Sequence, residues 1–81
     1  MDVKPLEFSH IVAVDADLVY PMIVWCTDNL GKEWDLVKNR QGRWFARINL
    51  SFYSSKGPMK PFYKFYFVDE QVSILFALTW L

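Results

Sequence analysis

Apolar and polar side chains alternate strictly over residues 43–53, and this segment is the clearest element that the chain predicts. Successive side chains of a strand point to opposite faces, so the segment is expected to form a strand with one packed face and one open face. The predicted packed face holds Trp44, Ala46, Ile48, Leu50 and Phe52. The predicted open face holds Arg43, Phe45, Arg47, Asn49, Ser51 and Tyr53.

Three other segments have the pattern of strands. Residues 6–14 carry apolar side chains at a spacing of two, and residues 33–38 are rich in large apolar side chains. Between residues 33–38 and the strand over 43–53, the sequence Asn39–Gly42 predicts a hairpin turn in which glycine takes a positive φ. A fourth strand is expected over residues 62–68, after a loop over 54–61.

The two faces of this fourth strand differ in chemistry. Its predicted core face holds Tyr63, Phe65 and Phe67. Its other face holds Phe62, Lys64 and Tyr66, which are expected to join the open face of the strand over 43–53.

Two segments are predicted as helices, each with a strand as its alternative. Asp15 and Asp17 are capable N-caps for a helix over residues 18–30 that ends at Gly31, although the apolar run 21–27 also fits a buried strand. Residues 71–80 fit either period, but the acids at their start and the later Leu and Ala residues favour a helix. The expected architecture is therefore a single α+β domain over residues 1–81, of order β-α-β-β-β-α. Its four-stranded, mostly antiparallel sheet carries the helices on one face.

The composition excludes several classes of function but assigns none. The 81 residues hold one cysteine and one histidine, so an internal disulfide is impossible and a structural zinc site is not expected. No phosphate-binding glycine loop is present, and neither His10 nor Cys26 has the companions of a catalytic group. The chain is expected to be a protein without enzymatic activity, cofactor or metal. It lacks an apolar signal core and a stretch of bilayer-spanning length, so a cytoplasmic location without membrane contact is expected.

Charge is distributed unevenly along a chain whose formal net charge is zero. Residues 36–66 hold seven cations, eight aromatic side chains and no carboxylate. The open face would present Arg43, Phe45, Arg47, Phe62, Lys64 and Tyr66. Lys56 and Lys60 would lie on an adjoining loop, where they could contact phosphates.

This surface has three interpretations. Rings and cations on a sheet suit single-stranded RNA or DNA, because bases stack on rings and cations hold the backbone. Tyr, Phe and Arg are also enriched in protein interfaces, which indicates a protein partner. The high content of apolar residues, 53%, also fits a homodimer or a purely structural homo-oligomer.

Two stretches resemble small α/β proteins of tailed bacteriophages, including relatives of T4. The first runs from Leu30-Gly31-Lys32-Glu33-Trp34 to Arg43-Trp44, and the second from Phe65 through Asp69-Glu70 to Thr79-Trp80. The resemblance implies a counter-defence or host-takeover role in the host cytoplasm, in which the protein occupies and inhibits a host protein or a protein–nucleic acid complex. It also implies, as an alternative, RNA binding that counters a host ribonuclease toxin.

Overall fold

The computed structural model of the protein describes Lys4, residues 7–49 and residues 61–81. In chain order these contain β1 (His10–Asp15), α1 (Val19–Leu30), β2 (Trp44–Asn49), β3 (Phe62–Phe67) and α2 (Glu70–Trp80). A short 3₁₀ helix leads from β1 into α1. The α+β class is confirmed. The described part of the chain has three strands, so the predicted strand over residues 33–38 is wrong.

β3 is the central strand of an antiparallel sheet whose order is β1-β3-β2. Its residue Phe65 pairs with Val12 of β1 on one side and with Ala46 of β2 on the other. Residues paired across antiparallel strands share a face, so the predicted core face of β3 lies beside the predicted core face of β2. Residues 50–53 of the predicted strand lie outside the described part of the chain.

Both helices pack on one face of this sheet, as predicted. The buried core takes side chains from every strand and both helices: Val14, Met22, Cys26, Trp44, Ala46, Phe65, Phe67 and Phe76. Phe65 lies at its centre, with ring centroids 4.8 Å from Phe76 and 6.2 Å from Trp44. The buried indole of Trp44 donates a hydrogen bond of 2.9 Å to the carbonyl of Gly31, so this large ring is buried without an unpaired donor.

Both predicted helices are confirmed, and the alternative strands over 21–27 and 71–80 are wrong. Gly31 ends α1 with φ 87°, and its amide donates to the carbonyl of Thr27. Asp15 stands before the 3₁₀ helix, but its carboxylate makes no capping hydrogen bond to that helix. Asp69 stands before α2 in an extended conformation and likewise makes no side-chain capping bond.

The segment expected to be the second strand forms a closed turn instead. The Asp35 carboxylate accepts hydrogen bonds from the amides of Val37 and Lys38, at 2.8 and 2.9 Å. These two bonds are also the main reason that the pKa of Asp35 lies below its usual value. The backbones of Asp35 and Asn39 exchange hydrogen bonds of 2.8 and 3.0 Å. Side chains that bond their own backbone compete with strand pairing, and here they hold the chain in the turn.

A backbone hydrogen bond between Trp34 and Trp44 agrees with the expected pairing of residues 33–38 with the strand over 43–53. The amide of Trp34 donates to the carbonyl of Trp44 at 2.7 Å, along the outer edge of β2. Gly42 lies against this contact, and it does not have the predicted positive φ, which belongs only to Gly31 among the described glycines. A Cβ on Gly42 would stand 2.5 Å from both the backbone nitrogen and the Cα of Trp34. Close approach of two backbones, and not a hairpin turn, explains glycine at this position.

β1 is shorter than predicted and begins at His10. Val12 and Val14 face the main core as expected. The alternation from residue 6 also placed Phe8 on this core side. Phe8 instead packs against Phe45, on the opposite side of the sheet. The chain therefore changes direction before β1, and the alternation from residue 6 does not describe one continuous strand. Among the described residues, no helix has both the length and the apolar character that crossing a membrane requires.

Candidate interaction surface

The sheet side opposite the helices carries a paired set of rings and cations, which we call the sheet face. Phe45 of β2 pairs with Tyr66 of β3, and Arg47 pairs with Lys64. Phe62 lies on the same side of β3, two residues before Lys64. The sheet face is defined by Phe45, Arg47, Phe62, Lys64 and Tyr66, which were predicted to share one face of the sheet.

The aromatic end of the sheet face is more covered than predicted. The rings of Phe45 and Tyr66 stack with a centroid distance of 4.4 Å and an interplanar angle of 6°. Phe8 meets Phe45 edge-on at 4.8 Å, and Trp34 lies 5.7 Å from it. Phe8 and Trp34 are themselves buried, at 5% and 7% exposure, and form a second, smaller core. Trp34 is buried as its apolar character predicted, but outside the main core.

Arg47 is held in place by three contacts. Its guanidinium lies 4.9 Å from the centroid of the Phe45 ring, within the range of a cation–π interaction. Its Nη1 donates to the carbonyl of Ala46 at 2.7 Å and reaches a Glu33 carboxylate oxygen at 3.4 Å. The same Glu33 oxygen accepts the amide of Ala46 at 2.8 Å, which satisfies a donor on the exposed edge of β2. Glu33 therefore both covers the edge of the strand and orients the arginine.

Lys64 is the cation of the sheet face that has no acidic partner. It is half-buried and forms no salt bridge with the carboxylates of the described residues. Its neighbours across the sheet are Ala13 on one side and Arg47 on the other. Like charges in directly paired positions destabilise a sheet, so the pairing of Lys64 with Arg47 is not explained by the stability of the strands.

Arg43 lies at the margin of the surface and is already paired. Its guanidinium contacts both carboxylate oxygens of Asp69, at 2.9 and 3.0 Å. This bidentate pair links the start of β2 to the start of α2, and it explains why Asp69 does not cap the helix. Both side chains are about half exposed, and exposed pairs contribute little to stability. Arg43, which was predicted on the open face, thus lies at the margin of the sheet face and is occupied by an intramolecular partner.

Two predicted residues of the surface lie outside the described part of the chain, and two residues that belong to it were not predicted. Lys56 and Lys60 fall outside the described residues. Ile11 was not predicted, although it pairs with Tyr66 and is 52% exposed on the same side of the sheet. The signal was present, because alternation in β1 puts Ile11 opposite Val12 and Val14, which belong to the core. Glu33 was missed because its role depends on a long-range contact that no local pattern shows.

The two side chains considered for catalysis lie on different elements of the fold. Cys26 is 0% exposed in the main core, whereas His10 is half-buried at the start of β1. Among the described residues, no three His, Cys, Asp or Glu side chains are placed to hold a metal ion. Burial, assisted by the negative charge of Glu33, raises the pKa of Cys26 from 9.0 to about 12. The thiol is consequently protonated at neutral pH and is a poor nucleophile.

The raised pKa of Cys26 predicts a specific loss of stability in alkali. An unfolded chain releases the thiol proton near pH 9.0, whereas the folded chain keeps it up to about pH 12. The stability that depends on the protonated Cys26 thiol is fully present below pH 9.0 and declines as pH rises towards 12. Relative to Cys26→Ala, the wild type should lose about 2–3 kcal/mol of unfolding free energy by about pH 11. Urea titrations of both proteins from neutral to alkaline pH measure this difference, and a constant difference would contradict the burial of the thiol.

Comparison of the chain with protein-family models, with curated proteins and with solved structures gave no match. The fold and the sheet face together define a small α+β domain with a basic, aromatic surface on one side of its sheet.

Proposed function

We propose that the protein is a small non-enzymatic binding protein that occupies a host macromolecule through protein contacts at its sheet face. The observation that carries the proposal is the cross-strand pairing of Arg47 with Lys64 beside the stacked rings of Phe45 and Tyr66. The resemblance to small bacteriophage proteins supplies the biological setting, in which occupation of the host factor inhibits it.

The packing of Phe45 favours a protein partner over base stacking. Three aromatic side chains and the Arg47 guanidinium already contact its ring. A base could stack on this ring only by displacing one of them. A protein surface can instead contact the outer edge of the cluster while leaving it intact, and pre-ordered aromatic side chains lose little entropy when they bind.

The charges favour an acidic site on that partner. Lys64 has no carboxylate partner among the described residues, and Arg47 has one long contact with Glu33. A carboxylate between these cations would relieve their repulsion and bond to both. The exposed Ile11 and half-buried Phe62 flank Lys64 on the neighbouring positions, so an apolar rim would exclude water from the charged contact.

Single-stranded RNA remains the second candidate, because phosphate could replace carboxylate between Arg47 and Lys64. In that case the ring of Phe62, rather than Phe45, would be the first available for stacking. The two functions differ in salt dependence. Phosphate contacts release counterions and lose affinity steeply with salt, whereas salt acts mainly on the association rate of a protein complex.

Charge reversal at the sheet face is the direct test. Arg47→Glu with Lys64→Glu should weaken binding to the partner at least tenfold, about 1.4 kcal/mol, because both cations would repel the acidic site. The matched control is Lys4→Glu with Lys32→Glu, which changes the net charge equally at two exposed positions that do not belong to the sheet face. Host proteins retained by the wild type and the control, but lost with the sheet-face variant, are the candidates, and calorimetry on the purified candidate gives the affinities.

Purification without nuclease decides between the two candidates. Wild-type protein that carries no nucleic acid at low salt, together with selective loss of a host protein by the sheet-face variant, supports the proposal. Nucleic acid that co-purifies and leaves at high salt supports the RNA alternative. Equal retention of every host protein by both variants would contradict the assignment of the sheet face.

A further inference from the structure

The outward side of α2 is apolar where the solvent side of a surface helix is ordinarily polar. Ile74, Leu75 and Leu78 are 50%, 55% and 78% exposed. At 3.6 residues per turn, Ile74 and Leu78 lie opposite Phe76, which is 0% exposed and holds α2 to the core. Residues 71–81 contain no charged side chain. A helix with large apolar side chains on both its inner and its outer side is normally buried, so the outer side of α2 is left uncovered in the single chain.

α1 extends this apolar surface. Tyr20 and Val24, one helical turn apart, are 76% and 41% exposed, whereas Met22 and Cys26 on the other side of α1 are buried. The two helices are adjacent, since the Trp25 ring of α1 packs on Phe76 of α2 at 5.8 Å. The outer surface of the helix layer therefore presents apolar side chains from both helices, with the exposed Asp28 one turn beyond Val24, on the side of the molecule opposite the sheet face.

The charge of α2 argues against a membrane surface as the occupant. Helices that lie in a lipid interface carry Lys and Arg on their polar face, where they meet anionic headgroups. The one ionisable side chain of α2 is that of Glu70, at its first turn. An uncharged stripe is instead compatible with itself, because a second copy brings no like charges into the contact.

The area agrees with the requirement of a dimer. A standard interface buries about 800 Å² on each partner, of which about 65% is apolar in homodimers. The exposed fractions of the six outward side chains correspond to roughly 450 Å² of surface, at about 100 Å² for each aliphatic and about 200 Å² for each aromatic side chain. These six are Tyr20, Val24, Ile74, Leu75, Leu78 and Leu81. The helix layer can therefore supply most of the apolar part of such an interface.

We infer that the outer surface of the helix layer binds a second copy of this chain in a two-fold symmetric dimer. An antiparallel pairing of the two α2 helices places Leu78 near the two-fold axis, where each copy covers the stripe of the other. The sheet faces then lie on the two outer sides of the dimer, pointing away from each other. Such a dimer offers two identical binding surfaces, so a target with repeated sites would bind with avidity.

The test measures oligomeric mass in two variants. Leu78→Glu introduces two carboxylates into the contact and should raise the dimer dissociation constant at least 100-fold. Val37→Glu is the matched control, since Val37 is 86% exposed in the turn over residues 35–39. Sedimentation equilibrium over a range of concentrations gives the constant, and circular dichroism confirms that each variant is folded. Because the readout is mass, it fails or succeeds independently of target binding.

Cross-linking supplies a second measurement that needs no destabilised variant. Leu78→Cys should form a disulfide-linked dimer under mild oxidation, whereas Val37→Cys should not, and the buried Cys26 does not interfere. A dimer that only Leu78→Glu dissociates, with cross-linking only through position 78, supports the inference. A wild type that stays monomeric up to about 1 mM, a dimer unaffected by Leu78→Glu, or a monomer that binds anionic vesicles through this stripe would overturn it.

Discussion

Phe65→Ala is expected to lower the free energy of unfolding by about 3–5 kcal/mol. Phe65 is 0% exposed on the central strand, and its ring contacts Trp44, Phe67 and Phe76. Truncation removes these contacts and leaves a cavity that the sheet and α2 cannot both close. A chain of 81 residues has a total stability of about 4–12 kcal/mol, so this loss is a large fraction of the total and the variant should unfold at a much lower urea concentration than the wild type.

The same substitution at Phe62 is the matched control. Phe62 lies on the same strand but faces the other side of the sheet and is only half-buried. Phe62→Ala should lower the unfolding free energy by less than half as much as Phe65→Ala, and Phe65→Leu should lie between the two. Urea denaturation followed by tryptophan fluorescence measures all three. Equal losses at positions 62 and 65 would contradict the assignment of opposite faces to these residues.

Local patterns were sufficient where one face of an element is buried and the other is not. Alternation assigned the core side of β3 correctly, and Phe65 and Phe67 are fully buried. Alternation also placed Lys64 on the same face as Arg47, and the two residues are directly paired across β3 and β2. A shift of one residue would expose the whole apolar set, so register follows from the pattern in such strands.

The strand prediction for residues 33–38 was wrong because it rested on the number of apolar residues and not on their alternation. Leu36 and Val37 are consecutive and both exposed, at 58% and 86%. The polar side chains of Asp35 and Asn39 decide the local conformation, since both hydrogen-bond to nearby backbone groups. A strand prediction that weighs only apolar residues overlooks this competition.

The sequence predicted which residues of β2 and β3 share the sheet face, but not which side chains cover its rings. No local pattern places Phe8 and Trp34 over Phe45, because both contacts bridge distant parts of the chain. Their effect is to turn a surface expected to be open into one whose rings are fixed. This change favours a pre-ordered protein-binding surface over base stacking, with the cations Arg47 and Lys64 beside the fixed rings.

Gly42→Ala is expected to lower the unfolding free energy by about 3 kcal/mol, the upper end of the usual cost of overpacking. The added methyl group would stand 2.5 Å from the Trp34 nitrogen and Cα, which are backbone atoms that no side-chain rotation can move. Moving them away would weaken the hydrogen bond from Trp34 to Trp44 and shift Trp34 away from Phe45. The loss should therefore extend to binding at the sheet face. Thermal unfolding and calorimetric binding of the variant measure both effects.

Gly31→Ala separates this mechanism from the general cost of replacing glycine. Gly31 has φ 87° and no atom within 4 Å of an added Cβ, so its cost is conformational, about 1–2 kcal/mol. Gly31→Asn should recover part of that loss, because asparagine tolerates the left-handed region. At Gly42, whose φ is not left-handed, asparagine should be worse than alanine, because it is larger. Recovery by asparagine at Gly42 would show that backbone conformation, and not the approach of Trp34, requires the glycine there.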